Sequence, residues 1–113
     1  MLDIALTANP NSNESRWELI ESGSVDDNGN PYYFIQNSGT RMRIQDLEGD
    51  TRLVPTSFSG ALVQWSSLRA GSGTFIFVNR STGRRLHAPN NGNGAPDSVP
   101  NTVRDNSVRW RFN

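Results

Sequence analysis

A single histidine, His87, limits what catalysis this chain can perform. A general base needs an orienting partner and a substrate proton or nucleophile within reach. The sequence has no cysteine and no Gly-x-Ser-x-Gly turn to present a serine. It also lacks a phosphate-cradling glycine loop and any metal-spaced set of His or Cys. The run Asp46-Leu47-Glu48-Gly49-Asp50 lacks the longer alternating pattern of a calcium loop. Its carboxylates are near neighbours on one loop, not groups flanking a glycosidic bond, so it reads as a solvated turn. No enzyme is expected, and no cofactor or metal. Binding needs less apparatus. Arg41, Arg43, Arg85, His87 and Arg109 fall on outward positions of what read as matching strands, with Gln64 beside them. Guanidinium forks of this kind grip sulfate or carboxylate bidentately, although a solvated arginine face is the plainer alternative. Phe58 sits in the polar run Ser57-Phe58-Ser59-Gly60. An aromatic there either stacks on a ligand or caps the fold.

Composition narrows the partners. The chain has 113 residues, the length of one domain, expected to span 1–113. A domain of this size buries roughly two-thirds of the surface its unfolded chain exposes, enough for one core without staples. Eleven acidic residues balance eleven basic ones, so nothing draws the molecule toward nucleic acid or an anionic membrane. Every basic residue is Arg. No apolar stretch approaches the length of a membrane span. Met1-Leu2-Asp3-Ile4 lacks the basic region and apolar run of a signal peptide. A place outside the cell is therefore expected only for a module of a longer secreted protein.

The candidate residues must be held by something periodic. Trp17, Trp65 and Trp110 recur at about 45 residues and close similar phrases: Ser15-Arg16-Trp17-Glu18-Leu19, Val63-Gln64-Trp65-Ser66 and Val108-Arg109-Trp110-Arg111. Pro55 and Pro100 precede Trp65 and Trp110 by the same interval. Upstream, Tyr33-Phe34-Ile35-Gln36-Asn37 followed by Gly39-Thr40-Arg41-Met42-Arg43-Ile44 is echoed by Phe75-Ile76-Phe77-Val78-Asn79 followed by Gly83-Arg84-Arg85-Leu86-His87-Ala88. Each unit reads as four short strands. The first covers 32–37 or 74–79, and Gly39 or Gly83 supplies the left-handed position of the turn after it. The second places Met42 and Ile44, or Leu86 and Ala88, on the inner face. A short third lies near Leu53-Val54 or Val99. The fourth turns Val63 and Trp65, or Val108 and Trp110, inward, with Gln64 and Arg109 facing out. Residues 21–31 read as a long connector.

These phrases resemble the ricin-B-like β-trefoil lectins, including modules attached to bacterial polysaccharide-degrading enzymes. Asn79-Arg80-Ser81-Thr82-Gly83-Arg84-Arg85-Leu86 is similar to that family's first hairpin turn, and Val63-Gln64-Trp65 to its repeat-closing segment. The resemblance implies an all-β fold, a β-trefoil with repeat one partial over 1–30, repeat two over 31–72 and repeat three over 73–113. Two departures stand out. Gln64 is adjacent to Trp65 where the family places its Gln two residues ahead. Repeat one lacks its opening hairpin, Met1 falling just before its third strand. Either the sequence begins inside the domain, or a second chain, as in a dimer, completes the edge.

The resemblance also implies a shallow sugar pocket within a repeat. It is built from an acidic residue after the second strand, an aromatic on the later loop and a nearby amide. In repeat two these fall on Asp46, Phe58 and Gln64, with Asp46 as a plain turn former the alternative. Repeat three, with Asn90 or Asn91 and Val103 in those places, looks degraded. The three Trp residues read as core. The expected function is a non-catalytic carbohydrate-binding module for a polysaccharide or oligosaccharide, neutral or anionic and sulfated, fused to a catalytic domain. The competing expectation is a trefoil that binds or inhibits a partner protein, through a loop such as 90–101.

Overall fold

The computed structural model describes residues 2–5, 16–71, 73–88 and 96–110. Among the described residues nine strands form one sheet system: β1 (Leu2–Ala5), β2 (Arg16–Val25), β3 (Pro31–Asn37), β4 (Arg43–Leu47), β5 (Asp50–Val54), β6 (Gln64–Gly71), β7 (Thr74–Asn79), β8 (Arg85–His87) and β9 (Asp97–Val99). Two long hairpins, β2–β3 and β6–β7, start at the pairs Trp17–Asn37 and Trp65–Asn79. They are joined where β3 meets β6 at Tyr33–Trp65, and Phe75 bridges Trp110 through two 2.8 Å backbone bonds. Two shorter hairpins, β4–β5 and β8–β9, hang from β3 and β7 at Gln36–Arg43 and Val78–Arg85. Repeats two and three are thus built alike.

Repeat one differs from the spacing-based expectation. Leu2–Ala5 is not placed as a third strand. It pairs with β2 so that Ile4 lies opposite Trp17, as Tyr33 lies opposite Trp65 and Phe75 opposite Trp110. It holds the place of a first barrel strand, and the described part of repeat one contains no counterpart of β4–β5 or β8–β9. The connector at 21–31 is also mostly strand. β2 runs to Val25, and the turn beyond is tied by Asp26, whose Oδ1 accepts from the Asn28 and Asn30 amides at 2.9 Å each. The bond from the Asn30 backbone is the main reason the Asp26 carboxyl titrates below its ordinary range.

Alternation in the strands builds the core. Trp17, Leu19, Ile35, Ile44, Trp65, Phe77, Leu86 and Trp110 form one buried cluster, with Tyr33, Phe75 and Ala88 against it. Burying each large apolar side chain contributes about 1.5–3 kcal/mol. A smaller cluster of Phe34, Val54 and Val63 is flanked by Ile20. The Trp residues are structural. Trp65 Nε1 donates to the Ile44 carbonyl at 3.1 Å and Trp110 Nε1 to the Leu86 carbonyl at 3.1 Å. Val63 and Val108 are buried but lie in short 3-10 turns, Ala61–Val63 and Asn106–Val108, ahead of the closing Trp.

The turns after β3 and β7 match bond for bond. Asn37 Oδ1 accepts from the amides of Gly39 and Thr40, and Asn79 Oδ1 from those of Ser81 and Thr82. Arg41 N donates to Asn37 O, and Gly83 N to Asn79 O, at 2.9 Å each. The left-handed position is therefore Arg41 (φ 63°) in repeat two and Gly83 (φ 71°) in repeat three. Gly39, expected there, is two residues early, and Arg41 and Met42 belong to the turn rather than to β4.

Candidate functional site

Of the three residues expected to form the repeat-two pocket, Asp46 and Gln64 are buried and Phe58 is exposed. Asp46 ends up inside the molecule, with no exposed surface. Its carboxyl oxygens accept from Thr82 Oγ1 at 2.5 Å, Ser98 Oγ at 2.8 Å and the Gly49 amide at 3.0 Å. Arg84 completes the junction, donating from Nε to Ser98 Oγ and from Nη2 to Ser98 O, both at 3.0 Å. Asp46 thus joins the β4–β5 hairpin to the repeat-three hairpin, its carboxyl taken up by bonds within the chain. Gln64 is also buried rather than outward. Its Nε2 donates to Ser59 O at 2.9 Å, and its Oε1 accepts from Arg80 Nη1 at 2.7 Å. Arg80 in turn stacks over Tyr32, 4.5 Å from the ring centroid.

Phe58 behaves differently. It is 45% exposed, on a loop that the chain holds firmly. The Phe58 amide donates to Pro55 O, which closes the turn after β5. Arg43 clamps the same loop, donating from Nη1 to Thr56 O at 3.0 Å and to Phe58 O at 2.8 Å. Its guanidinium lies 3.7 Å from the centroid of the Phe34 ring. Burial lowers its pKa from the ordinary arginine value. Arg85 repeats the design, donating from Nη1 to Val103 O at 3.0 Å. The expected arginine shelf is therefore divided. Arg43 and Arg85 turn inward to fasten loops, because the loop carbonyls after β5 and β9 need donors, while Arg41 and Arg109 are exposed.

Repeat three carries a second solvent-facing set. His87 Nδ1 lies 2.6 Å from Asp97 Oδ1, and these side chains are 21% and 46% exposed. Asp105 is close enough for His87 to help lower its pKa, although the largest cause is the side-chain bond from Ser107. Ser107 also accepts the Ala88 amide on its carbonyl. No motif or spacing in the sequence marks Asp97. The usable signal was register, since β8 and β9 pair His87 directly with Asp97. Repeat two has Gln45 and Arg52 at this cross-strand pair, and Arg52 turns to Asp50 instead, Nη2 to Oδ2 2.7 Å. The alternative acidic-region residues of repeat three, Asn90 and Asn91, lie outside the described residues. No group of three or more His, Cys, Asp or Glu side chains able to hold a metal occurs among the described residues, and no described helix is long and apolar enough to cross a membrane.

The set therefore offers one aromatic face on a clamped loop and a half-buried imidazole–carboxyl pair, both suited to shallow recognition. No protein-family model matches the chain, and no curated protein matches it in sequence. Solved structures do. SeviL bound to asialo-GM1 saccharide has a TM-score of 0.70 at 12% identity, over 99% of this chain and 94% of that one. The designed 3-fold symmetric protein ThreeFoil has a TM-score of 0.67 at 17% identity, over 90% and 74%. The GlcNAcα1-4Gal-releasing endo-β-galactosidase from Clostridium perfringens has a TM-score of 0.60 at 22% identity, over 94% of this chain and 25% of that one. At such identities the likeness is one of fold. With the matched Trp frames of repeats two and three, it establishes that the chain has a β-trefoil fold.

Proposed function

We propose that this trefoil is a non-catalytic carbohydrate-binding module that recognises a polysaccharide at shallow sites. The observation that carries the reading is Phe58, an aromatic side chain left 45% exposed on a loop fastened by Arg43. Immobilising that loop beforehand lowers the ordering cost of stacking against a sugar ring. The His87–Asp97 pair and Asp105 add donors and acceptors for hydroxyls at a second place, and two weak sites on one polymer gain avidity. Trefoil structures bound to saccharide are among the structural matches, and a glycosidase carries a matching region, which supports a module working beside a catalytic domain in a secreted protein. A neutral polymer is the first expectation, because Arg43 and Arg85 donate to backbone carbonyls. A sulfated one would have to use the exposed Arg41 and Arg109.

Affinity electrophoresis against neutral and sulfated polysaccharides tests the reading. Retardation should fall by about tenfold in affinity for Phe58→Ala, the loss of about 1.4 kcal/mol, and by less for Asp97→Ala. Retardation that salt abolishes would point to the anionic polymer. A folded chain that no polymer retards would sink the proposal and favour a protein ligand.

A further inference from the structure

Arg80 is held in place yet keeps donors free. It is exposed, at the first position of the turn after β7. Its backbone amide donates to Gln64 O at 2.8 Å, and its Nη1 donates to Gln64 Oε1 at 2.7 Å. Its guanidinium lies 4.5 Å from the centroid of the half-buried Tyr32 ring. These contacts order a side chain rich in rotamers before any ligand arrives. The Nε–Nη2 edge, a flat fork of the kind that grips a carboxylate, has no partner among the described residues. No carboxylate neutralises the charge either, the ion pairs among the described residues being Arg52–Asp50 and His87–Asp97. The other anchored guanidiniums differ. Arg43 and Arg85 donate to loop carbonyls, and Arg84 donates to Ser98.

The fold does not require this arrangement. The turn after β3 closes with the same Asn-capped bonds and has Ser38 in the place of Arg80. In repeat three the place of Gln64, before the closing Trp, is taken by the exposed Arg109. Thr74 stands where Tyr32 does, ahead of the first-strand aromatic, and its Oγ1 donates to Gly71 O at 2.6 Å. Arg80 is also tied to the Phe58 loop. Gln64 Nε2 donates to Ser59 O at 2.9 Å, so one amide carries both the guanidinium and the residue next to Phe58. Tyr32 and Phe34 lie on one face of β3, about 7 Å apart along the strand. Their rings carry Arg80 and the loop-clamping Arg43 respectively.

We infer that Arg80 is a carboxylate subsite beside Phe58, so that the module takes a glycan bearing uronic acids on an otherwise neutral chain. The inference rests on the glycan reading and deepens it. A neutral sugar ring stacks on Phe58, and the carboxylate of a nearby uronic acid accepts two parallel bonds from the Nε–Nη2 edge. One prepared guanidinium suits one planar carboxylate. A densely sulfated chain is a poorer match, because Arg43 and Arg85 are already engaged.

Affinity electrophoresis of the whole chain tests this with glucuronoxylan, xanthan and gum arabic, each beside the same polymer with its carboxyls reduced to alcohols. At least one acidic polymer should bind about tenfold more tightly than its reduced form, the scale of a lost charged hydrogen bond. Arg80→Ser, which copies the turn after β3, should bring the acidic form down to the level of the reduced one. It should leave binding of the reduced form unchanged, a pattern that a merely structural role for Arg80 does not produce. Phe58→Ala should weaken both forms alike. Equal binding of every acidic polymer and its reduced form overturns the carboxylate subsite and leaves the glycan reading standing. So does a preference for the acidic form that survives in Arg80→Ser, or dextran sulfate binding as tightly as the best acidic polymer. Retardation by no polymer, acidic or reduced, overturns both readings.

Discussion

Arg41 does with a side chain what Gly83 does without one. Both close the same turn with φ near +60 to +70°, at 63° and 71°, and for an L-residue with a Cβ that region costs about 1–2 kcal/mol. Nothing lies within 4 Å of a Cβ built on Gly83, so the turn has room for a side chain and the difference is one of backbone conformation alone. Arg41→Gly should therefore stabilise the protein by about 0.5–1 kcal/mol once the added freedom of the unfolded glycine is subtracted. Gly83→Ala should destabilise it by about 1 kcal/mol. Urea midpoints of the two variants check the pair. The same turn shows how residue type misleads. Aligning Gly39 with Gly83 is natural by composition, but the alignment is fixed by Asn37 and Asn79, whose side chains cap the turn two and three residues on.

At the scale of elements, the loops after β5 and β9 are two versions of one device. The Phe58 and Val103 amides donate to Pro55 O and Pro100 O, and Arg43 and Arg85 each reach the loop from the strand beneath. Arg43→Met removes both bonds to the loop and the guanidinium from over Phe34, so it should cost about 2 kcal/mol of stability. It should also weaken polysaccharide retardation, because Phe58 is then less firmly held. Arg43→Lys should not restore either property, since an ammonium cannot reproduce a flat guanidinium lying over the ring. Comparing retardation and chemical unfolding of the two variants decides this. The strands themselves were legible from alternation and β-branched content, β7 to the residue. The facing of Arg43, Arg85 and Gln64 was not, because it depends on carbonyls in loops distant in sequence that periodicity does not reveal.

The whole molecule is organised by its repeats, and the recurrence of Trp17, Trp65 and Trp110, with the phrases around them, carried the resemblance that implied the trefoil. What spacing could not supply was the register of the first strand, since the place of Leu2–Ala5 is fixed only by pairing Ile4 with Trp17. Nor could it show that Asp46 holds two repeats together. Asp46→Ala should cost about 3 kcal/mol, as the Thr82 and Ser98 hydroxyls lose their acceptor in a buried site. Glycan retention below the melting temperature should stay unchanged, and a loss of retention in the folded variant would return Asp46 to the ligand site. One feature bears on behaviour at high concentration. Among the described residues β5 pairs with β4 alone, and a strand lacking a second ladder can template stacking between identical molecules. Asp50 and Arg52 place exposed charge of both signs along it, which works against fibre-like growth from the edge where Leu53 would otherwise favour it.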